Sequence, residues 1–409
     1  MATDDPSAPA TGSLAGIRVL DLTSVILGPY ATQILGDHGA DVIKVEPPAG
    51  DNMRHAAPMR TPGMGHIFVQ LNRNKRSVVL DLKHADGRAA LLRLAAGADV
   101  LVHNLRPQAM ARLGLSYDDV RAVNERIVYV GAYGFRADGP YGAKAAYDDI
   151  IQGLIALPWL IGEGVDGRPR YVPSTICDRV TGLNAVNAVL AALLHRERTG
   201  VGQAVEVTMF ETLTEFVLSD HMGGETWSPP VAPMGYPRLL APDRNPMRTK
   251  DGYLGVLVYN DRQWRSFLAA VGRSELLEED GRFASLESRS QSVNEVYAWL
   301  AGEFVTRTTA EWLEVLDAAD VPAMPIHCLD ALLHDPHHEA TGFFRLVEHP
   351  TEGTIRVMDA PSRWTESPPS LRRHAPLLGE HSVEVLAEAG YAEAEIRRLL
   401  DARVTATPP

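Results

Sequence analysis

Cysteine is nearly missing from this 409-residue chain, in which Cys177 and Cys328 are the only two. Two thiols make neither a disulfide framework nor a zinc-ligand pattern, and such usage fits a reduced, cytoplasmic setting. Positive charge is also short: 39 Lys and Arg stand against 52 Asp and Glu, for a formal charge of −13. That balance argues against nucleic-acid binding, yet a local basic cluster could still hold a small anion. Long apolar runs are scarce. The stretch from Leu154 to Ile161 is broken by Pro158 and is too short to cross a bilayer, so no membrane association is expected. Residues 1–13 are Ala, Asp, Pro and Ser without an apolar segment, and read as a loose tail rather than a targeting peptide.

What is there has the balance of a globular protein, 22% charged and 45% hydrophobic, with length for more than one folded unit. Ile17 to Leu22 predicts a strand, Gly28-Pro29 opens a helix that closes by Gly39, and Asp41 to Val45 predicts a second strand. Strand, helix, strand is the unit of a parallel, doubly wound sheet. Glu46 ends the second strand as in dinucleotide-binding folds, but the first turn, Thr23 to Pro29, lacks G-x-G-x-x-G. Nicotinamide binding is therefore disfavoured. Further strands are expected at 78–82, 98–104, 127–131 and 204–208, with a Gly-rich loop from Gly131 to Gly142. Loops at the carboxyl ends of parallel strands are where such sheets bind ligands.

Asp178 is expected just ahead of a predicted helix whose buried face should hold Leu183, Val186, Leu190, Leu193 and Leu194. A helix start stabilises a carboxylate, which can serve as nucleophile, as base or only as a cap. Cys177 is a rival nucleophile by its chemistry. Arg73, Lys75 and Arg76 form a dense run of cations, read either as a solvated face or as an anion site. His337-His338 has no spaced third ligand, so no metal centre is expected.

Several blocks carry a resemblance. They are Asp178-x-x-Thr181-Gly182, Thr199-Gly200-x-Gly202-Gln203, Leu71 to Ser77 running into Leu80-Asp81-Leu82, Asn104-Leu105-x-Pro107, Arg112-x-Gly114 and Ala375 to His381. Together they resemble the signature of class III CoA-transferases over nearly the whole chain. The resemblance implies an α/β fold: a Rossmann-like large domain, a smaller inserted α+β domain, and two chains interlocked as rings in a homodimer. On that pattern residues 1–225 and 326–409 form the large domain and 226–325 the small one. It implies transfer of CoA from an acyl-CoA to a free carboxylic acid, with CoA as substrate and no permanently bound cofactor. Asp178 would be the nucleophile, forming an aspartyl-CoA intermediate, and Asp148 a second carboxylate near it. CoA would lie against Val25, Leu27, Leu71, Asn72, Lys75, Arg76, Asn104 and Arg112, although Val25 and Leu27 could equally just pack the sheet.

Two alternatives share these blocks: a 2-methylacyl-CoA racemase and a non-catalytic acyl-CoA-binding protein. The racemase branch places a His before the Asp matching Asp148, whereas this chain has Ala146-Tyr147. Formyl-CoA:oxalate enzymes carry a Gln where Ile26 stands, and a glycine run where this chain has Pro237 to Met247. Those departures point to an acceptor larger or less polar than oxalate.

Overall fold

The structure, a computed structural model, describes residues 11–163 and 167–408. Most of the expected tail, residues 1–10, lies outside the described residues. Six parallel strands form the main sheet: β1 (Arg18–Leu22), β2 (Asp41–Glu46), β3 (Lys75–Val79), β4 (Val100–His103), β5 (Val128–Tyr133) and β6 (Gln203–Thr208). The helices among them are α1 (Leu27–Asp37), α2 (His66–Leu71), α3 (Ala85–Ala95), α4 (Pro107–Leu113), α5 (Tyr117–Arg121), α6 (Asp148–Leu154), α7 (Leu157–Glu163), α8 (Ile176–Thr199) and α9 (Met209–His221). The strand order is β3-β2-β1-β4-β5-β6, so the winding direction reverses between β1 and β4. Leu20 pairs with Ile43 on one side and Leu101 on the other.

Successive side chains along a strand point to opposite faces, which gives the sheet two cores. Leu20, Ile43, Val78 and Leu101 join Leu91 and Leu94 of α3, together with Val385 and Ile396 from the helices Ser382–Glu388 and Glu393–Asp401. Their neighbours Val19, Val42, Val100 and Val128 pack on Ala31 and Leu35 of α1 and on Ala185, Val189 and Leu193 of α8. Each such Val, Leu or Ile side chain contributes about 1.5–3 kcal/mol when fully buried.

The chain divides into two compact units. One takes in the described chain up to Ile155, then Val172–Glu215, then everything from His337. The other comprises Ala156–Tyr171 and Phe216–Pro336. This second unit has a three-stranded antiparallel sheet (Met247–Arg248, Tyr253–Val256, Ala323–Pro325) and an aromatic core of Trp264, Phe267, Phe283, Phe304 and Trp312. The Trp312 indole donates to the Phe304 carbonyl at 2.7 Å, so burial leaves it satisfied.

α8 corrects one expectation. Its buried side is made by Cys177, Thr181, Gly182, Ala185, Val186, Val189, Ala192, Leu193 and Arg196, while Leu183, Leu190 and Leu194 are exposed. Small residues win that face because α8 lies close against α1: a Cβ on Gly182 would stand 2.9 Å from the Leu27 carbonyl oxygen. α8 is the one described helix long and apolar enough to cross a membrane, yet here it is the helix that packs on β5, β6 and α1.

Candidate active site

The loops after β1, β4 and β5 meet where the strand order reverses, the place where open α/β sheets form ligand crevices. They line a cleft of about 210 Å³ together with Asp178. Ser24 to Leu27 come from the first loop, Asn104 to Pro107 from the second, and Ala132 to Phe135 with Gly142 and Lys144 to Tyr147 from the third. Of the residues expected to bind ligand, Val25, Leu27 and Asn104 thus share one cleft with Asp178.

These side chains are held by identifiable contacts. Asn104 clamps the first loop, its amide donating to the Ser24 carbonyl at 2.8 Å and its oxygen accepting from the Ser24 N–H at 3.2 Å. Val25 sits at φ 72°, a left-handed conformation that a β-branched residue adopts only under strain. Its N–H donates to Asp51 Oδ1 at 3.2 Å, and Asp51 Oδ2 accepts from the buried Lys44 ammonium at 2.9 Å. Lys44 in turn donates to the Thr23 carbonyl at 2.9 Å. A buried ionic framework therefore shapes the wall of the cleft.

Asp178 is the third residue of α8, inside the helix rather than ahead of it. Its role is not that of a cap; Asp148 does the capping. Asp148 Oδ2 accepts the Asp178 N–H at 3.0 Å, and Oδ1 accepts from the Gln152 amide at 2.6 Å. Gln152 Oε1 then accepts from the Val172 N–H at 2.9 Å, which ties α6 to the strand of chain leading into α8. The Asp178 carboxylate itself takes no hydrogen bond among the described residues. Burial, and secondarily the Asp148 charge, push its pKa up to about 7, with Arg179 opposing. The Arg179 guanidinium lies 4.5 Å from the centre of the Tyr30 ring. Cys177 next door is fully buried, and burial together with the nearby aspartates pushes its thiol up to about 12. A thiol so held is a poor nucleophile at neutral pH.

The basic run requires a correction. β3 begins at Lys75, three residues before the expected strand at 78–82, so Lys75 and Arg76 lie within the sheet and Arg73 just ahead of it. Lys75 has no exposed surface, and its ammonium donates to Asp21 Oδ2 (2.9 Å), the Pro29 carbonyl (3.0 Å) and Asn72 Oδ1 (2.9 Å). All three donors are spent inside the protein. Arg76 pairs with Asp41 at 2.7 Å, Glu384 at 2.8 Å and Glu388 at 2.7 Å. Leu71 and Asn72 are buried as well, and Asn72 donates to the Phe68 carbonyl at 3.0 Å. None of these four lines the cleft, and neither does Arg112, which is exposed in the last turn of α4.

The cations that do line it are Arg106 and Lys144, both exposed. Sequence reasoning passed over both. Arg106 was in view as the residue between Asn104 and Pro107, and Lys144 at the end of the Gly-rich loop. Lys144 Nζ stands 4.5 Å over the Tyr141 ring, a cation–π contact. Among the described residues no cluster could hold a metal ion.

Comparison with known proteins supplies the family. Residues 14–382 match CoA-transferase family III. The chain belongs to that family. An acyl-CoA transferase of Fusarium pseudograminearum is 34% identical, over 93% of this chain and 85% of its own length. A succinate–glutarate CoA-transferase of Agrobacterium fabrum is 32% identical (92% and 95% covered), and a formyl-CoA:oxalate CoA-transferase of Streptomyces avermitilis 34% (95% and 98%). The crystal structure of Rv3272 from Mycobacterium tuberculosis superposes with a TM-score of 0.78 at 31% identity, covering 92% of this chain and 99% of that one. This chain is therefore a CoA-transferase, a class of enzyme whose substrates are CoA thioesters.

Proposed function

We propose that this family III enzyme moves CoA from an acyl-CoA to a free carboxylic acid through a thioester on Asp178. The observation that carries this reading is the Asp178 carboxylate, presented to the cleft without a hydrogen-bond donor while Asp148 fixes its backbone. The carboxylate attacks the thioester carbonyl, giving an Asp178–acyl anhydride and CoA thiolate. The thiolate attacks the aspartyl carbonyl, releasing the first acid and leaving aspartyl-CoA. The acceptor carboxylate repeats the exchange: it forms an anhydride with Asp178 and frees the thiolate, which takes the new acyl group and restores Asp178. Each step passes one acyl bond to the next nucleophile, so no step needs water or an oxidant.

In this reading Arg106 and Lys144 hold the CoA phosphates, for which charge-assisted hydrogen bonds offset the long-range repulsion of an acidic protein. The apolar lining from Val25, Ile26, Leu27, Phe135 and Met209 favours an acceptor less polar than oxalate. Homodimer formation is part of the same proposal, with a second copy covering the exposed Leu183, Leu190 and Leu194 of α8, in the interlocked arrangement the resemblance implies. Asp178→Ala should abolish transfer while CoA binding and the melting temperature stay near wild type; retained turnover would exclude Asp178 as nucleophile. Against the racemase alternative, a chiral 2-methylacyl-CoA in heavy water should acquire no deuterium at its α-carbon. Uptake matching turnover would overturn transfer in favour of proton abstraction.

A further inference from the structure

The second unit contains a cavity of its own, about 240 Å³, far in sequence from Asp178. Its walls are apolar, with Met247, Val258, Val296 and Leu300 among them, and phenol groups of Tyr236, Tyr259 and Tyr297 also line it. An apolar cavity of about 150 Å³ takes up benzene, so this one has room for a ring or short chain plus a polar group.

Two arginines line the cavity, and they differ in their partners. Arg289 is buried and neutralised: it pairs with Asp261 and donates to the Phe283 carbonyl at 3.0 Å. Arg238 is only partly buried and has no carboxylate partner among the described residues. Its guanidinium donates to the Tyr236 and Tyr297 phenols and stands 5.6 Å from the Tyr236 ring centre and 5.9 Å from that of Tyr259; its Nε, like that of Arg289, has no acceptor. The cavity thus carries one cation with phenol partners but no carboxylate, set in hydrocarbon and aromatic surface. One negative charge on an apolar body is the complement.

We infer that this cavity is a binding site for a small aryl or alkyl monocarboxylate, with Arg238 holding the carboxylate and the walls its apolar body. The site belongs to the second unit and does not depend on the reading of Asp178.

Calorimetric titration of the full chain with phenylacetate, and with phenylacetamide as its uncharged counterpart, tests the proposal. Phenylacetate should bind saturably and at least ten-fold more tightly than the amide. Arg238→Met should weaken it roughly ten- to a hundred-fold, the range of one charge-assisted hydrogen bond. Val258→Trp, which fills the cavity, should do the same, thermal melts confirming that both variants fold. Asp178→Ala should leave binding unchanged, whereas loss in that variant would place the acid in the catalytic cleft and overturn the proposal. Equal affinity for acid and amide, absence of binding, or indifference to Arg238→Met and Val258→Trp would overturn it as well.

Discussion

Asp21 and Asp178 are aspartates of one folding unit, both withdrawn from water, and the fold treats them in opposite ways. Asp21 is completely buried. Burial alone would push its pKa up, but the Lys75 and Lys44 ammonium groups and the Thr23 and Thr32 hydroxyls outweigh that and hold it well below the usual carboxylate range. Asp178 is less deeply buried, yet its nearest like charge is Asp148 and only Arg179 opposes. Asp21 accepts from Thr23, Thr32 and Lys75 and anchors the first loop, while the Asp178 carboxylate takes no hydrogen bond among the described residues. The two differ in what accompanies burial: Asp21 has cations and donors that outweigh it, and Asp178 has only Arg179 to oppose it.

Breaking the paired side of this comparison should have the largest effect on stability. Lys75→Met leaves the Asp21 charge buried beside a thioether, and loss of one partner of a buried pair costs about 3–5 kcal/mol. Urea denaturation should show that loss, and adding Asp21→Asn should recover part of it. A change below about 1 kcal/mol, the value of an exposed pair, would mean that the pairing does not anchor the loop.

The next effect separates cations that build the fold from the cleft cations proposed to meet substrate. Arg106→Ala and Lys144→Ala should each raise the KM for acyl-CoA roughly ten- to a hundred-fold, with little change for the free acid. Arg76→Ala should lower stability and leave that KM near wild type. Steady-state kinetics with the reverse pattern would return CoA binding to the basic run.

The smallest effect sharpens the reactive side. As the proposed nucleophile Asp178 must be ionised, and with its pKa pushed up to about 7 the rate should fall as pH drops through neutrality. Asp148→Asn removes a like charge while its side-chain oxygen can still accept the Asp178 N–H. The acid limb of the pH–rate profile should therefore move to lower pH. An unmoved limb would show that Asp148 acts on Asp178 through position alone.

Much of the large unit was legible in the sequence because its signals are local. Val19-Leu20-Asp21-Leu22 and Val100-Leu101-Val102 are buried strand runs, and Pro107 opens α4 as its first residue. The motif drew attention to Asp178, which lines the cleft, and Gly182 within that motif has a physical reason, the close approach of α8 to the Leu27 carbonyl. The partners of the basic run were not legible because they are nonlocal: Lys75 finds Asp21 54 residues away, and Arg76 finds Glu388 312 residues away. No pattern within a window of ten residues carries that information. The α8 leucines failed for a related reason. Spacing identifies an apolar stripe, but only the neighbouring helix decides whether large or small residues face it.

The most direct test of the Asp178 account is intact-mass spectrometry of wild type and Asp178→Ala after brief incubation with an acyl-CoA and no acceptor. The account predicts that wild type gains the mass of CoA less water, that peptide mapping places it on Asp178, and that hydroxylamine removes it. The variant should gain nothing. A wild-type adduct on any other residue, or transfer without an adduct and with Asp178 replaced, would contradict it.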